Sequence, residues 1–144
     1  MGKINWTRVL LGGLVAGAVG NVLMFAAWGL FTRPSLSAAL DALGQPLQET
    51  FISTVVGVVL GFVAMILVIW LYAAIRPRYG PGPKTALVAG VAAGLLFAVF
   101  PDIGWGLTLR LIPARVWAAD AIVSFLVIVA ATLFGAWVYK EEGA

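Results

Sequence analysis

The 144-residue chain contains no cysteine and no histidine. The first absence removes disulfides, thiol catalysis and iron–sulfur ligation. The second removes imidazole acid–base chemistry and the usual ligand of zinc and haem. Charge is scarce as well, at 10% of residues, which is too little for a solvated globular surface. The chain also lacks a phosphate loop, a dinucleotide fingerprint, a serine with a nearby basic partner and an arginine ladder of the voltage-sensor kind. Its basic residues are not interleaved with aromatics, so no nucleic-acid partner is expected. These absences predict a protein that is not an enzyme, with no catalytic residue, no metal and no cofactor.

What is present is apolar: 62% of residues are hydrophobic and the mean hydropathy is +1.06. A bilayer core about 30 Å thick is crossed by roughly 20 apolar residues in a helix. Four runs meet that length without interior charge clusters: 7–31, 50–75, 85–107 and 117–139. They are continuously apolar, whereas the strand of a membrane barrel alternates and is shorter, and a helix satisfies its own backbone within lipid. Lys3 and Arg8 precede the first run as in a signal peptide. Its apolar stretch exceeds the ~7–15-residue core of such a signal, so a retained helix is expected. The predicted fold is one all-α transmembrane domain over 1–144, with the lipid bilayer as its first partner.

Placing both termini in the cytoplasm puts Lys3, Arg8, Arg76, Arg78, Lys84 and Lys140 inside and Arg33, Arg110 and Arg115 outside, in accord with the positive-inside rule. In that frame Trp6, Trp70 and Trp137, with Tyr72, Tyr79 and Tyr139, form an inner aromatic belt, and Trp28, Trp105 and Trp117 an outer one. "RPRYGPGPK", residues 76–84, is expected to stop the second helix and form a stiff, basic cytoplasmic turn. In the first outer connection, residues 35–43 place Leu36, Ala39, Leu40 and Leu43 on one face. With Ser35 as N-cap and Gly44 as stop, they predict a short interfacial helix.

"WGLFTR" at 28–33 and "WGLTLR" at 105–110 are near-copies. Sliding the chain by 77 positions also aligns Gly13 with Gly90 and Gly17 with Gly94. The second and fourth helices share weaker signatures, Glu49/Ser53 with Asp120/Ser124 and Trp70/Tyr72 with Trp137/Tyr139. Two similar helical hairpins in one orientation, a parallel 2+2 repeat, are therefore expected to form a four-helix bundle.

Small residues are expected to close that bundle. Gly13/Gly17, Gly57/Gly61 and Gly90/Gly94 are GxxxG pairs, and Gly20 and Gly135 extend small-residue stripes on the first and fourth helices. In lipid such stripes let backbones approach and gain dispersion contact. They can serve internal packing or a dimer face. Asn21, on the first stripe, must be hydrogen-bonded at that depth and reads as interhelical glue or as a ligand contact. Asp102, behind Pro101 in the third helix, reads as an intramembrane site or as an acid balanced by Arg110 or Arg115. Glu49 and Asp120 stand at helix mouths, where N-termini stabilise acids. Together Glu49, Asp102, Asp120 and the outer arginines Arg33, Arg110 and Arg115 could line an outward vestibule.

"NWTRVLLGGLVAG", "WLYAAIRPRYGPGPKTA" and "LFGAWVYKE" resemble stretches of a group of small bacterial four-helix membrane proteins of uncharacterised function. The resemblance implies a bacterial inner-membrane protein with four helices and lends no activity. The sequence thus favours an accessory component that self-associates as a homo-oligomer or joins a larger membrane complex. The alternative is a small transporter or channel, as a dimer, with an outward charged vestibule.

Overall fold

The computed structural model describes residues 4–108, 110 and 112–140; Lys3, of the inner basic set, lies outside them. Among the described residues the regular structure is all helical, with no strand. Four helices are long and apolar enough to cross a membrane: α1 (Trp6–Asp41), α2 (Phe51–Tyr79), α3 (Pro83–Thr108) and α4 (Ala114–Val138). This is the architecture of an integral membrane protein. We call the end carrying Asn5, the 80–82 turn and Tyr139 the inner end, and the opposite one the outer end.

Local chemistry explains the helix starts. The Asn5 side chain accepts a hydrogen bond from Arg8 N at 3.1 Å and caps α1. Thr50 and Ser53 form a reciprocal capping box on α2, satisfying two N–H groups that a helix start leaves over. Pro83 opens α3 in the first turn, where a missing N–H costs nothing.

The interruptions are less obvious from sequence. α1 and α3 each contain one wide turn of the π type, Trp28–Thr32 and Leu95–Val99, closed by Arg33 N on Trp28 O and by Phe100 N on Leu95 O. Each ends two residues before a proline, Pro34 and Pro101. A proline cannot donate to the preceding turn, and its ring crowds the carbonyl four residues back. An i→i+5 turn takes up that mismatch without ending the helix. Hence α1 does not stop near Phe31. The expected separate helix over 35–43 is its continuation, and Ser35 is no N-cap, since its Oγ donates to Phe31 O at 3.3 Å. Gly44, at φ +70°, does end the segment, with Gln45 N on Leu40 O at 3.0 Å. The 36 residues of α1 span roughly 54 Å, well beyond the ~30 Å that one crossing needs.

The inner turn is also shorter than expected. α2 runs through Arg76 and Pro77 to Tyr79, so the connection is 80–82 rather than 76–84. Pro77 lies in the last turn of the helix, where it removes a single hydrogen bond. The stop is made by Gly80 and Gly82, at φ +83° and +116°, a region closed to most side chains. Thr85 Oγ1 donates to Gly80 O at 2.6 Å, and Gly82 N to Tyr72 Oη at 3.3 Å, fastening the turn to the bundle.

The helices alternate in direction, since contacts along each pair run in opposite numerical order. α1 packs on α2 through Gly13 against Ile66 and Gly17 against Phe62, and on α4 through Gly12 against Gly135 and Gly20 against Ala131. α3 packs on α4 through Gly90 against Val129 and Thr132 and through Gly94 against Phe125. The closest approach is backbone on backbone: a Cβ on Gly135 would stand 2.5 Å from Gly12 O. Seven of the eight glycines expected to pack helices (Gly13, Gly17, Gly20, Gly61, Gly90, Gly94 and Gly135) meet a neighbouring helix, Gly61 through the Asn21 side chain of α1. Gly57 differs, with nothing within 4 Å of its Cβ position. Gly12, which the GxxxG pattern passes over, belongs to the tightest seam.

The core sits in the inner half. Val9, Ala16, Met65, Val68, Ile69, Tyr72, Ala86, Ala93, Ala131 and Tyr139 are all buried. Tyr72 and Tyr139 therefore do not face headgroups as the inner belt required. Only 3% and 4% exposed, their rings meet edge to face at 5.8 Å, with the Arg76 guanidinium 5.5 Å from the Tyr139 centroid. Asn5 N donates to Tyr139 Oη at 3.4 Å. Each phenol has found an internal partner and needs no interface. Trp6, Trp70, Trp105, Trp137 and Tyr79 remain exposed as belt residues would be, whereas Trp28 and Trp117 are half-buried.

Candidate functional site

The outer half is built differently. Residues 51–60, the first ten of α2, are all exposed, Ser53, Thr54 and Gly57 included. In lipid an exposed apolar flank is ordinary. Apart from the Asn21 bond to Val58 O, this stretch has little cover from its own chain. α1 and α2, joined tightly at Gly13 and Gly17, part above Asn21 and leave a cleft of about 320 Å³ between Phe25, Trp28, Glu49, Thr54 and Val58. A second hollow of about 170 Å³, lined from all four helices by residues such as Gly20, Gly61, Phe97 and Ile128, shares Asn21, Met24 and Gly57 with it.

Asn21 marks the depth at which the helices separate. Its Nδ2 donates to Gly17 O in its own turn at 2.9 Å and to Val58 O across the contact at 3.3 Å. Its Oδ1 lies 2.7 Å from where a Cβ on Gly61 would stand. Gly61 is thus the room that Asn21 needs, and Asn21 ties α1 to α2.

At the outer end the wide turn of α1 takes on a purpose. In a regular α-helix residues five apart point roughly 140° apart. The π turn brings Trp28 and Arg33 to the same side, and both reach Glu49. Trp28 Nε1 donates to Oε1 at 2.8 Å and Arg33 Nε to Oε2 at 2.9 Å. The two ends of "WGLFTR" thus hold the two oxygens of one carboxylate. Thr32, between them and buried, turns the other way and donates to Asp120 Oδ1 of α4 at 2.6 Å. Ser124 Oγ lies 3.5 Å from Asp120 Oδ2 and 3.6 Å from Met24 Sδ.

The charged residues expected around one mouth therefore divide. Glu49 sits at the α1–α2 cleft. Asp102 and Asp120 face each other where α3 meets α4, joined to α1 by Thr32. Arg110 is exposed, and so is Arg115, beside a surface groove that includes Pro34, Ala38 and Val116. Among the described residues the one salt bridge is Arg33–Glu49, so neither Arg110 nor Arg115 balances Asp102. Asp120 is not at a helix mouth either. α4 begins at Ala114, which puts Asp120 in its second turn, and its partner is a threonine hydroxyl rather than a helix N-terminus. Glu49 immediately precedes the Thr50 cap.

Sequence reasoning missed Trp28 and Thr32 as partners of the acids. The available signal was the position of Pro34 just after the repeated phrase, which marks a distorted turn. In the second copy Trp105–Thr108 is regular α-helix and Gly106 packs under Trp117, so the same words have a different use there. Comparison with protein-family models, curated proteins and solved structures finds no match to this chain.

Proposed function

We propose that this protein is a non-enzymatic accessory component of a bacterial inner membrane, associating with itself or with a larger membrane assembly along the outer half of α2. The observation that carries this reading is the ten-residue stretch 51–60, exposed on every side, with open space at Gly57. A helix that offers serine and glycine one turn apart to lipid gains little from acyl chains, whereas a partner helix could approach closely there. The charge distribution supports a topology with both termini and the 80–82 turn in the cytoplasm, and α1 beyond Arg33 in the outer interface. A parallel repeat of two hairpins is supported by packing: Gly13 and Gly17 lie on Ile66 and Phe62 as Gly90 and Gly94 lie on Val129 and Phe125.

The test is oligomeric mass in mild detergent, together with identification of proteins that co-purify at native abundance. Gly57→Ile is expected to weaken association while leaving the chain folded. A monomer with no co-purifying protein, or association indifferent to this substitution, rejects the reading. Solute passage is favoured by two neighbouring hollows that share Asn21, Met24 and Gly57 in their linings. Against it, Val68, Ile69 and Tyr72 are buried in the packed inner half. Flux into liposomes that Gly57→Trp abolishes would reverse this preference.

A further inference from the structure

The α1–α2 cleft is amphipathic along its length, and its two ends call for different chemistry. At its outer end Glu49 and Arg33 stand side by side, with Trp28 across Glu49. Deeper in, Phe25, Met24 and Val58 form apolar walls down to Asn21. An apolar opening of about 320 Å³ can take up a chain in dispersion contact with its walls, and the surrounding medium is itself a supply of such chains. Charge then selects the headgroup. A purely anionic head brings its phosphate against Glu49, and a purely cationic head meets Arg33. A head carrying both signs can satisfy both residues.

The donor and acceptor inventory agrees. Arg33 uses Nε for Glu49, and its terminal amino groups make no hydrogen bond to a described residue, which leaves a fork suited to phosphate oxygens. Glu49 takes one bond on each oxygen and keeps lone pairs for an ammonium. Arg33 and Glu49 are 56% and 38% exposed, so both remain within reach of an incoming headgroup. We propose that this cleft binds one zwitterionic phospholipid of the phosphatidylethanolamine type, its phosphate on Arg33, its ammonium on Glu49 and an acyl chain between α1 and α2. The lipid braces the outer half of α2, to which α1 is hydrogen-bonded through Asn21 and Val58 O. The inference does not depend on the assembly reading, because it concerns the monomer.

Native mass spectrometry of the delipidated monomer tests it, with 1-palmitoyl-2-oleoyl phosphatidylethanolamine, the matching phosphatidylcholine and the matching phosphatidylglycerol added in turn. The expected result is one retained lipid, with both zwitterionic lipids held about tenfold more tightly than the anionic one. Glu49→Gln and Arg33→Gln should each remove that preference. The paired exchange Arg33→Glu with Glu49→Arg keeps both signs and should restore it, which separates a charge effect from a damaged fold. Gly57→Leu, filling the cleft, should lower retention of all three lipids alike. Phosphatidylglycerol held as tightly as phosphatidylethanolamine, a preference unchanged by the single substitutions, or a bound protein with no retained lipid would each overturn the proposal.

Discussion

Gly12 and Gly135 meet with their backbones almost in contact, while Gly57 meets nothing, although all three are glycines on apolar helices. The difference predicts opposite mutational outcomes. Gly135→Ala sets a methyl 2.5 Å from Gly12 O and 2.7 Å from Ala16 Cβ, and rigid backbone cannot yield. Overpacking of this kind costs about 1–3 kcal/mol, to be seen as a lowered unfolding midpoint in mixed micelles. Gly57→Ala has free space and replaces the poorer helix former, so the midpoint should hold or rise by up to ~1 kcal/mol. Thr32→Val is the polar counterpart. It removes the 2.6 Å bond to Asp120 and leaves a half-buried carboxylate oxygen short of a donor, at about 1–3 kcal/mol. The exposed Arg33–Glu49 pair is worth much less to folding, roughly 0–1 kcal/mol. Substitutions there that alter lipid retention without shifting the midpoint would therefore report binding and not stability.

At the scale of elements, the two prolines that follow wide turns decide how α1 and α3 run. Because the π turn carries one residue more than an α turn, deletion of Gly29 should restore regular helix. It would also rotate everything N-terminal to it, Trp28 included, away from Arg33. The four spans would survive by circular dichroism, while the tryptophan emission associated with Trp28 should shift, as compared with Trp28→Phe. Unchanged emission would show that the turn does not set the Trp28–Glu49 contact. The repeated phrase belongs at this scale too. Its first copy is bent by Pro34 into a clamp on Glu49, and its second remains a regular helix because the corresponding wide turn, before Pro101, falls a full ten residues ahead of Trp105. Likeness of residues has not produced likeness of backbone, since proline position, more than the phrase itself, governs local geometry.

For the whole molecule, the structure divides into a tight inner half and a splayed outer half. Small residues allow four backbones to converge below Asn21. Above it, α2 stands clear, and whatever covers it comes from outside the chain. Topology can be tested cleanly because the chain has no native cysteine. With Gln45→Cys and Pro81→Cys as single labels, an impermeant maleimide should modify the first from the outer side and the second only after permeabilisation. The reverse pattern would invert the proposed orientation and carry the cleft to the other leaflet.

The membrane class and the four helices long enough to cross were legible in sequence because lipid demands about 20 apolar residues in each helix, and no tertiary contact is needed to impose that. Gly13, Gly17, Gly20, Gly90, Gly94 and Gly135 were legible for a related reason, since without a hydrophobic force between helices close packing requires small residues; Gly12, in the tightest seam, was not. What tertiary structure alone decided was which glycines are covered, where α1 and α2 part, and which acid each hydroxyl, indole or guanidinium reaches. Those outcomes depend on rotation about the helix axis, which a single wide turn resets for every residue beyond it. They also depend on the neighbouring helix against which each face comes to rest. Composition and spacing along one helix carry neither quantity.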